Sequence, residues 1–231
     1  MDQLIEPNPF NFFDKVLCIN MAERADRWSI CESNFKKYNI TNYERVDGCV
    51  VKGEGWKGCA LSFCKAFDNA IDNNYDAVLF LEDDFDFIYD RESLFPKMNA
   101  AIAELPDDWD SLYFGCTVND HHTQPISKYS ANLFRVNSCY ALHSVAFSKK
   151  GLHKIKNSFY ENFKENWHEG IIKQFKAIDV FFAHYYNNYY NCYITQELLC
   201  MQRPDFSNIE FTYVDYYAPM NMKFNHFKNF I

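Results

Sequence analysis

Four carboxylates follow one apolar segment of this 231-residue chain. Glu82, Asp83 and Asp84 come directly after the run YDAVLFL, and Asp86 lies two positions further on. Carboxylates this close raise one another's pKa unless a cation joins them, and Mg²⁺ and Mn²⁺ prefer oxygen ligands. The cluster therefore predicts a divalent-metal site that could bridge the protein to a substrate phosphate, with a solvated acidic turn as the alternative. If the strand continues into the cluster, Glu82 and Asp84 share one face and Asp83 points to the other.

Two other segment ends carry candidate residues. Asn20 ends the run KVLCIN, and Arg24 and Arg27 follow it at a spacing that places both guanidinium groups on one helix face. Such groups suit a phosphate or a carboxylate, although a solvated helix start has the same pattern. Asp179 opens an aromatic helix, where an Asp that interacts with the helix dipole is the simpler interpretation. His184 has no partner visible in the sequence.

The elements that would position these residues alternate in the first half of the chain. Buried strands are predicted at 15–20, 43–46 and 75–81, and helices at 24–38 and 59–73. This order predicts an α/β fold, a mostly parallel central sheet with flanking helices, built as one domain over residues 1–231. Ligands of such sheets lie beyond the carboxyl ends of the strands, which is where the acidic cluster falls.

The second half is predicted to add strands and helices to the same sheet. The predicted helices are 91–104, 149–157 and 177–187, and the predicted strands lie at 111–115, 133–136, 139–147 and 192–201. Residues 1–14 are interpreted as a lead-in arm, 117–130 as a long loop, and 205–231 as an irregular C-terminal segment without clear periodicity.

Composition narrows the classes of partner. The net charge is −8 and the basic residues run no longer than pairs, so extended nucleic acid is not expected as a partner. The nine cysteines contain no CxxC spacing, which favours reduced, mostly buried thiols and a cytoplasmic protein. The N-terminus lacks the pattern of a signal peptide, and no apolar stretch approaches the ~18 residues of a membrane span.

Three segments, in order, resemble glycosyltransferase family 25, which includes enzymes of lipooligosaccharide biosynthesis and the collagen galactosyltransferases. They are KVLCINMAERADRW, GWKGCALSFCKAF and YDAVLFLEDDFDF. Weaker matches follow at Tyr140-Ala141-Leu142, at Asp179, and at Gln202 with Ser207 and Ile209. The resemblance covers about residues 15–209. Two positions depart from the family pattern: Phe63 stands where the family has His, and Asn208 where it has Asp.

The resemblance implies a GT-A-like fold and an inverting transfer from a UDP-sugar, commonly UDP-galactose or UDP-glucose, to a hydroxyl of a glycan or protein acceptor. The implied cofactor is Mn²⁺ or Mg²⁺, bound directly by Asp84. Glu82 and Asp83 would hold the metal's waters or the donor ribose. His226 and His184 compete for the place of a third metal ligand.

The remaining implied roles concern the donor and the acceptor. The expected donor-binding residues are Asn20, Arg24, Arg27, Gly58, Ser62, Asp83 and Gln202. Asp179 is the expected general base, which would deprotonate the acceptor hydroxyl. Two other classes stay open: a metal-dependent nucleotide enzyme such as a nucleotidyltransferase, and an inactive relative that only binds sugar nucleotides.

Overall fold

The computed structural model describes residues 6–163, 167–207 and 209–229. The strands are β1 Lys15–Asn20, β2 Tyr43–Asp47, β3 Ala77–Glu82, β4 Phe85–Phe87, β5 Ser111–Val118, β6 Ile126–Lys128, β7 Leu133–Val136, β8 Cys139–Ser148, β9 Cys192–Thr195, β10 Cys200–Gln202, β11 Asp205–Ser207 and β12 Thr212–Val214. The helices are α1 Ala25–Lys37, α2 Gly55–Asp72, α3 Arg91–Ala103, α4 Lys149–Phe163, α5 Trp167–Gly170, α6 Ile178–Phe181, α7 Asn187–Tyr189 and α8 Tyr217–Lys228. Short π-helical turns at Ile171–Phe175 and Phe182–Tyr186 join α5 to α7.

Eight strands form the central sheet in the order β2-β1-β3-β8-β5-β9-β7-β6. All of them run in one direction except β7 and β8, so β1 is parallel to both of its neighbours while β8 is antiparallel to both β3 and β5. The predicted α/β fold with a central sheet and flanking helices is confirmed. The small pair β10 and β4 lies outside this sheet and joins the end of the acidic cluster to a much later part of the chain.

The two central parallel strands are buried on both faces, which explains their unbroken apolar sequences. On β1, Val16 and Cys18 pack in one core with α1 and α3, whereas Leu17 and Ile19 pack in the other with α2, α4 and α6. β3 alternates in the same way between the two cores. The nine cysteines form no disulfide, and most of them are buried in these cores.

The N-terminal residues from 6 onward differ from a lead-in arm. Pro9–Phe12 form a 3₁₀ turn, and the side chains of Phe10 and Phe13 are buried. The ring of Phe10 contacts Phe87 and Phe95, with centroids 5.5 Å and 6.1 Å away. Because its aromatic side chains fill a gap between α3 and the sheet, this segment belongs to the core.

Within the C-terminal segment 205–231, the described residues 205–207 and 209–229 form regular elements, which corrects the sequence interpretation. β11 and β12 form a hairpin, and α8 follows it. Met220 and Phe224, spaced four residues apart, are the buried positions of α8. The exposed Tyr217 and Met222 lie among them and mask this helical period in the sequence. Two smaller differences are that α2 begins at Gly55 and that β6 lies within the predicted loop 117–130.

A buried histidine couples the stability of the sheet to pH. His143 on β8 is fully buried, and its Nε2 lies 3.2 Å from the carbonyl oxygen of Cys200. Since a carbonyl only accepts hydrogen bonds, Nε2 carries the proton, and Nδ1 has no partner among the described residues. Burial lowers the pKa of His143 to about 4. The unfolded chain therefore binds a proton at about pH 6.5, where the folded chain does not.

Replacing His143 with Gln is expected to reduce the acid sensitivity of the fold. In the wild type, stability is lost as pH falls from about 6.5 towards 4, by up to about 3 kcal/mol from this group. The Gln amide can still donate to Cys200 but does not titrate. Urea unfolding at several pH values measures the slope, with the exposed His121→Gln as the matched control. An equal acid slope in the wild type and in His143→Gln would refute this source of pH dependence.

Candidate functional site

A cavity of about 810 Å³ opens at the carboxyl ends of β1, β2 and β3, where the fold class predicts a ligand site. This volume suits a small-molecule ligand. Asn20, Gly48 and Glu82 line it from the three strand ends, and Tyr140 and Asp179 line it from the second half of the chain. The fold thus brings the acidic cluster and Asp179 to one cavity although 95 positions separate Asp84 from Asp179 in the sequence.

The carboxylate of Asp83 is satisfied by the protein itself. It accepts one hydrogen bond from Asn20 Nδ2 at 2.6 Å and another from Arg27 Nη1 at 2.6 Å. The side chain is buried and lies on the sheet face opposite Glu82, as strand alternation requires. Asp83 therefore fixes Asn20 and Arg27 in place. It also lines the cavity, and its contact with a donor ribose stays a prediction.

Glu82 and Asp84 are compensated less well than Asp83: in the described part of the chain no ion pair is found for Glu82, and Asp84 has only the longer of the two contacts of Arg27 Nη1. Asp84 Oδ1 is buried and has no hydrogen-bond partner among the described residues. The nearest donors to Asp84 Oδ2 are Gln202 Nε2 at 3.5 Å and Arg27 Nη1 at 3.7 Å. Burial and then the charge of Asp83 raise the pKa of Asp84 to about 6. Burial also raises the pKa of Glu82, followed by the charges of Asp84 and Asp83.

These oxygens fit a hard divalent cation that is only partly enclosed by protein. In the described part of the chain, no three His, Cys, Asp or Glu side chains are grouped so that they could hold a metal ion by themselves. Mg²⁺ and Mn²⁺ sites on phosphate substrates commonly use one or two carboxylates, with phosphate oxygens and waters completing the shell. Glu82 and Asp84 match that pattern. They do not form a closed zinc site, which needs four protein ligands.

Neither candidate histidine is placed among these carboxylates. His226 is exposed on α8 and does not line the cavity. His184 is also exposed, and its Nε2 lies 2.9 Å from the hydroxyl of Tyr140. The family resemblance suggested a late histidine as a third metal ligand, and the structure gives that suggestion no geometric support.

Arg24 and Arg27 are both held by carboxylates, and of the two Arg27 lines the cavity. Their contact with a nucleotide stays a prediction. Arg24 Nη2 lies 2.9 Å from both Asp26 and Asp205. Arg27 donates to Asp83, to Asp205 at 2.8 Å and to the carbonyl oxygen of Phe206 at 3.1 Å. The two arginines thus tie α1 to β11 and the acidic cluster. Asp205 was missed in the sequence because it lies far along the chain from both arginines. Arg24 precedes it by 181 positions and Arg27 by 178, so only the folded chain brings them together.

Gly58 and Ser62 hold a loop that lines the cavity. The Ser62 hydroxyl accepts from the Cys49 backbone N–H and donates to the Gly58 carbonyl oxygen, both at 2.7 Å. A methyl group at Gly58 would meet the Cys49 carbonyl oxygen at 2.5 Å, so a side chain there would push the loop away. The two residues therefore hold the loop 48–53, and Ser62 also lines the cavity. Their contact with the donor stays a prediction.

Replacing Ser62 with Ala is expected to loosen the loop 48–53 without unfolding the protein. The Cys49 N–H loses its side-chain acceptor, so its exchange with solvent should accelerate. Hydrogen–deuterium exchange measured by mass spectrometry reports this directly, with the exposed Ser29→Ala on α1 as the control. Unchanged protection of peptides that contain residues 48–53 would show that Ser62 does not hold the loop.

Asp179 is placed at the start of α6 with its carboxylate in a partly buried position. Burial raises its pKa, and the backbone N–H groups of Val180 and Ala141 oppose that rise. Ala141 has a φ of 66°, a left-handed conformation that is strained for a residue other than glycine. The pairing of β8 with β5 shifts register around this residue. The irregular part of β8 thus includes the residue whose backbone N–H acts on the pKa of Asp179.

Arg203 is a residue of this site that sequence reasoning missed. Its backbone N–H donates to the Asp84 carbonyl oxygen at 2.7 Å, and its Nη2 donates to the Asp83 carbonyl oxygen at 3.2 Å. The pairing of β10 with β4 places Gln202 opposite Phe85 and so brings both residues to the cluster. In the sequence, only the position of Arg203 after a predicted strand could have suggested it.

The two departures from the family pattern have different outcomes. Phe63 is buried, lines the inner wall of the cavity and packs on Phe67, with ring centroids 5.8 Å apart. It therefore gives the cavity an apolar wall where a histidine would present a polar one. Asn208 lies outside the described residues.

Comparison with known proteins finds a distant relative. Over 150 residues the chain is 25% identical to a protein of Acanthamoeba polyphaga mimivirus named "Putative glycosyltransferase R655". The alignment covers 56% of this chain and 44% of that protein, so the chain spans less than half of its relative's length. No family model matches the chain.

Three solved structures share part of the fold. The A197 protein from STIV has a TM-score of 0.45 and 15% identity, covering 83% of this chain and 94% of its own. Mannose-1-phosphate geranyltransferase from Thermus thermophilus has a TM-score of 0.43 and 9% sequence identity. The match covers 78% of this chain and 58% of that protein. A glycosyltransferase involved in glycosylation of the major capsid of PBCV-1 has a TM-score of 0.37 and 9% sequence identity. The match covers 78% of this chain and 91% of that protein. These likenesses are too distant to carry an argument about activity.

Among the described residues, no helix has the length and apolar character needed to cross a membrane. What the comparisons establish is sequence similarity, over part of the chain, to a protein named as a glycosyltransferase.

Proposed function

We propose that this protein is a metal-dependent glycosyltransferase that moves a hexose from a UDP-sugar to a hydroxyl of a glycan or protein acceptor, with inversion at the anomeric carbon. One observation carries the proposal: a single cavity holds the carboxylates of Glu82 and Asp84, with Asp84 Oδ1 buried and without a hydrogen-bond partner among the described residues, together with a separate carboxylate at Asp179. The similarity to the mimivirus protein supports the class of reaction.

Glu82 and Asp84 are the residues that would hold the metal ion. Burial, and after it the charges of neighbouring carboxylates, raise the pKa of both groups, and a bound cation would favour their charged forms. When bound, Mn²⁺ or Mg²⁺ would neutralise the donor diphosphate and stabilise the charge of the departing UDP. Arg27 spans Asp83 and Asp84 and thereby keeps the two carboxylates in a fixed relation.

Asp179 is proposed to accept the proton of the acceptor hydroxyl as its oxygen attacks the anomeric carbon. In this step the new bond forms between the acceptor oxygen and the sugar, and the bond to the diphosphate breaks with its electron pair leaving on UDP. A base suits this role when its pKa is raised, and burial raises that of Asp179. The backbone N–H groups of Val180 and Ala141 limit that rise.

The donor nucleotide is proposed to lie between β1 and the loop 48–53. Asn20 Oδ1 is buried at this edge and has no partner in the described structure, so it can accept a hydrogen bond from a ligand. Its Nδ2 is already bound to Asp83, which fixes the direction of the amide. Trp56 and the loop backbone line the same side of the cavity.

A panel of sugar nucleotides tests the proposal. The protein is incubated with each compound and Mn²⁺, with and without EDTA, and the release of nucleoside diphosphate is measured. We expect release of UDP from UDP-galactose or UDP-glucose that EDTA abolishes. Release of pyrophosphate from nucleoside triphosphates without any UDP-sugar turnover would favour a nucleotidyltransferase. Absence of turnover on every compound would contradict the proposed activity.

A further inference from the structure

Four cationic side chains line the cavity among the described residues: Arg27, Lys52, Arg203 and Lys223. Two of them are already neutralised. Arg27 forms ion pairs with three carboxylates, and Lys223 lies 3.0 Å from Asp120. Lys52 is exposed on the loop 48–53. Arg203 differs from all three, because it is partly buried and no ion pair within 4 Å is found for it in the described part of the chain.

The guanidinium of Arg203 keeps donor capacity that the protein does not use. Nη2 donates to the backbone carbonyl of Asp83, while Nη1 is shielded from solvent and has no hydrogen-bond partner in the described structure. A buried N–H group without an acceptor carries a substantial free-energy cost. Such a group next to a cavity is satisfied when a ligand supplies the acceptor.

The position of Arg203 is fixed by the backbone and not by a flexible loop. Arg203 directly follows β10, which pairs with β4. Its backbone N–H donates to the Asp84 carbonyl oxygen at 2.7 Å. The guanidinium is thereby held beside Asp83 and Asp84, which contribute to the same wall of the cavity. A ligand that contacts both Asp84, through a cation, and Arg203 must carry several anionic oxygens close together.

We propose that Arg203 binds the diphosphate of the nucleotide donor. This inference rests on the proposed function and identifies the residue that recognises the diphosphate. Arginine suits the task because its planar fork presents parallel N–H groups to two phosphate oxygens. Binding would satisfy Nη1 and place an anionic group in direct contact with the guanidinium.

Isothermal titration of Arg203→Gln tests the inference, with Mn²⁺ present and UDP, uridine and pyrophosphate as the probes. We expect affinity for UDP and for pyrophosphate to fall about ten- to a hundredfold, as for loss of a charge-assisted contact. Affinity for uridine should stay within about twofold, because uridine has no phosphate. Arg91→Gln, an exposed arginine on α3, is the control for the change in net charge.

A second variant keeps the test decisive if Arg203→Gln folds poorly. Arg203→Lys retains the charge but loses the fork, so we expect an intermediate loss of UDP affinity, about three- to tenfold. Unchanged UDP affinity in either folded variant, or an equal loss for UDP and uridine, would overturn the role of Arg203 and leave the proposed function standing. If the wild type binds pyrophosphate but not UDP, the proposed function fails while the diphosphate site stands. If it binds neither, both fail.

Discussion

Replacing Asp84 with Asn is expected to abolish turnover of the UDP-sugar, lowering kcat/KM by about a thousandfold or more. The metal supplies several kcal/mol of charge stabilisation to the departing diphosphate, and each 1.36 kcal/mol corresponds to a tenfold change in rate. The amide is close in size to the carboxylate but removes the charge that would bind the cation. Steady-state kinetics with the best UDP-sugar of the panel, at saturating Mn²⁺, measures the loss.

The same substitution should not destabilise the fold. Burial and the neighbouring Asp83 already disfavour the charged form of Asp84, so the neutral Asn relieves repulsion. We therefore expect Tm to stay unchanged or to rise while activity is lost, the trade-off typical of residues kept for function. Asp86→Asn is the matched control, because Asp86 is exposed on β4 and does not line the cavity. Retained turnover in Asp84→Asn would show that the metal site lies elsewhere.

Replacing Asp179 with Asn is expected to separate donor binding from transfer. Affinity for UDP should stay near that of the wild type, since Asp179 has no proposed contact with the donor. Transfer to the acceptor should fall about 10²- to 10⁴-fold, the usual contribution of a general base. Single-turnover transfer measured beside UDP titration gives both quantities from one preparation. Near-normal transfer would remove Asp179 from the role of base.

The pH profile of the wild type provides a second readout for Asp179. The base must be deprotonated, and burial raises its pKa above the ordinary value. Activity is therefore expected at pH values above this raised pKa and lost as pH falls through it. In Asp179→Asn, any residual transfer should lack this acid limb. An identical acid limb in the variant would assign the titration to another group.

The parts of the site that the sequence could predict are those set by local pattern. The apolar runs before Asn20 and Glu82 are typical of buried parallel strands, and those strands end at the cavity. The alternation of side chains along a strand places Asp83 opposite Glu82, and the structure shows the two in different surroundings. These features depend on residues that are adjacent in the chain.

The parts that the sequence could not predict depend on distant segments. The charges of Arg24 and Arg27 suit a phosphate as well as they suit Asp205, and only the folded chain selects the carboxylate. Arg203 reaches the cluster through the pairing of β10 with β4, which joins segments more than 100 positions apart. The left-handed Ala141 has no local signal, because alanine rarely adopts that conformation without tertiary support.

The cavity also combines a polar end with an apolar rim. Phe211 and Ile209 line it from the β11–β12 hairpin, and both are well exposed to solvent. Glu210, between them, accepts a hydrogen bond from the Tyr216 hydroxyl, which holds the hairpin to the start of α8. Aromatic faces at such a rim can pack against sugar rings. This rim is therefore the part of the site where the acceptor is expected to be selected.

Calorimetric titration of the wild-type protein with UDP, in the presence and absence of Mn²⁺, tests the central claim most directly. Glu82, Asp83 and Asp84 all line the cavity, and their carboxylates would repel a bound diphosphate unless a cation intervenes. The account predicts saturable binding of UDP with Mn²⁺ and binding at least about tenfold weaker after treatment with EDTA. Equal affinity with and without metal, or no binding of UDP under either condition, would contradict it.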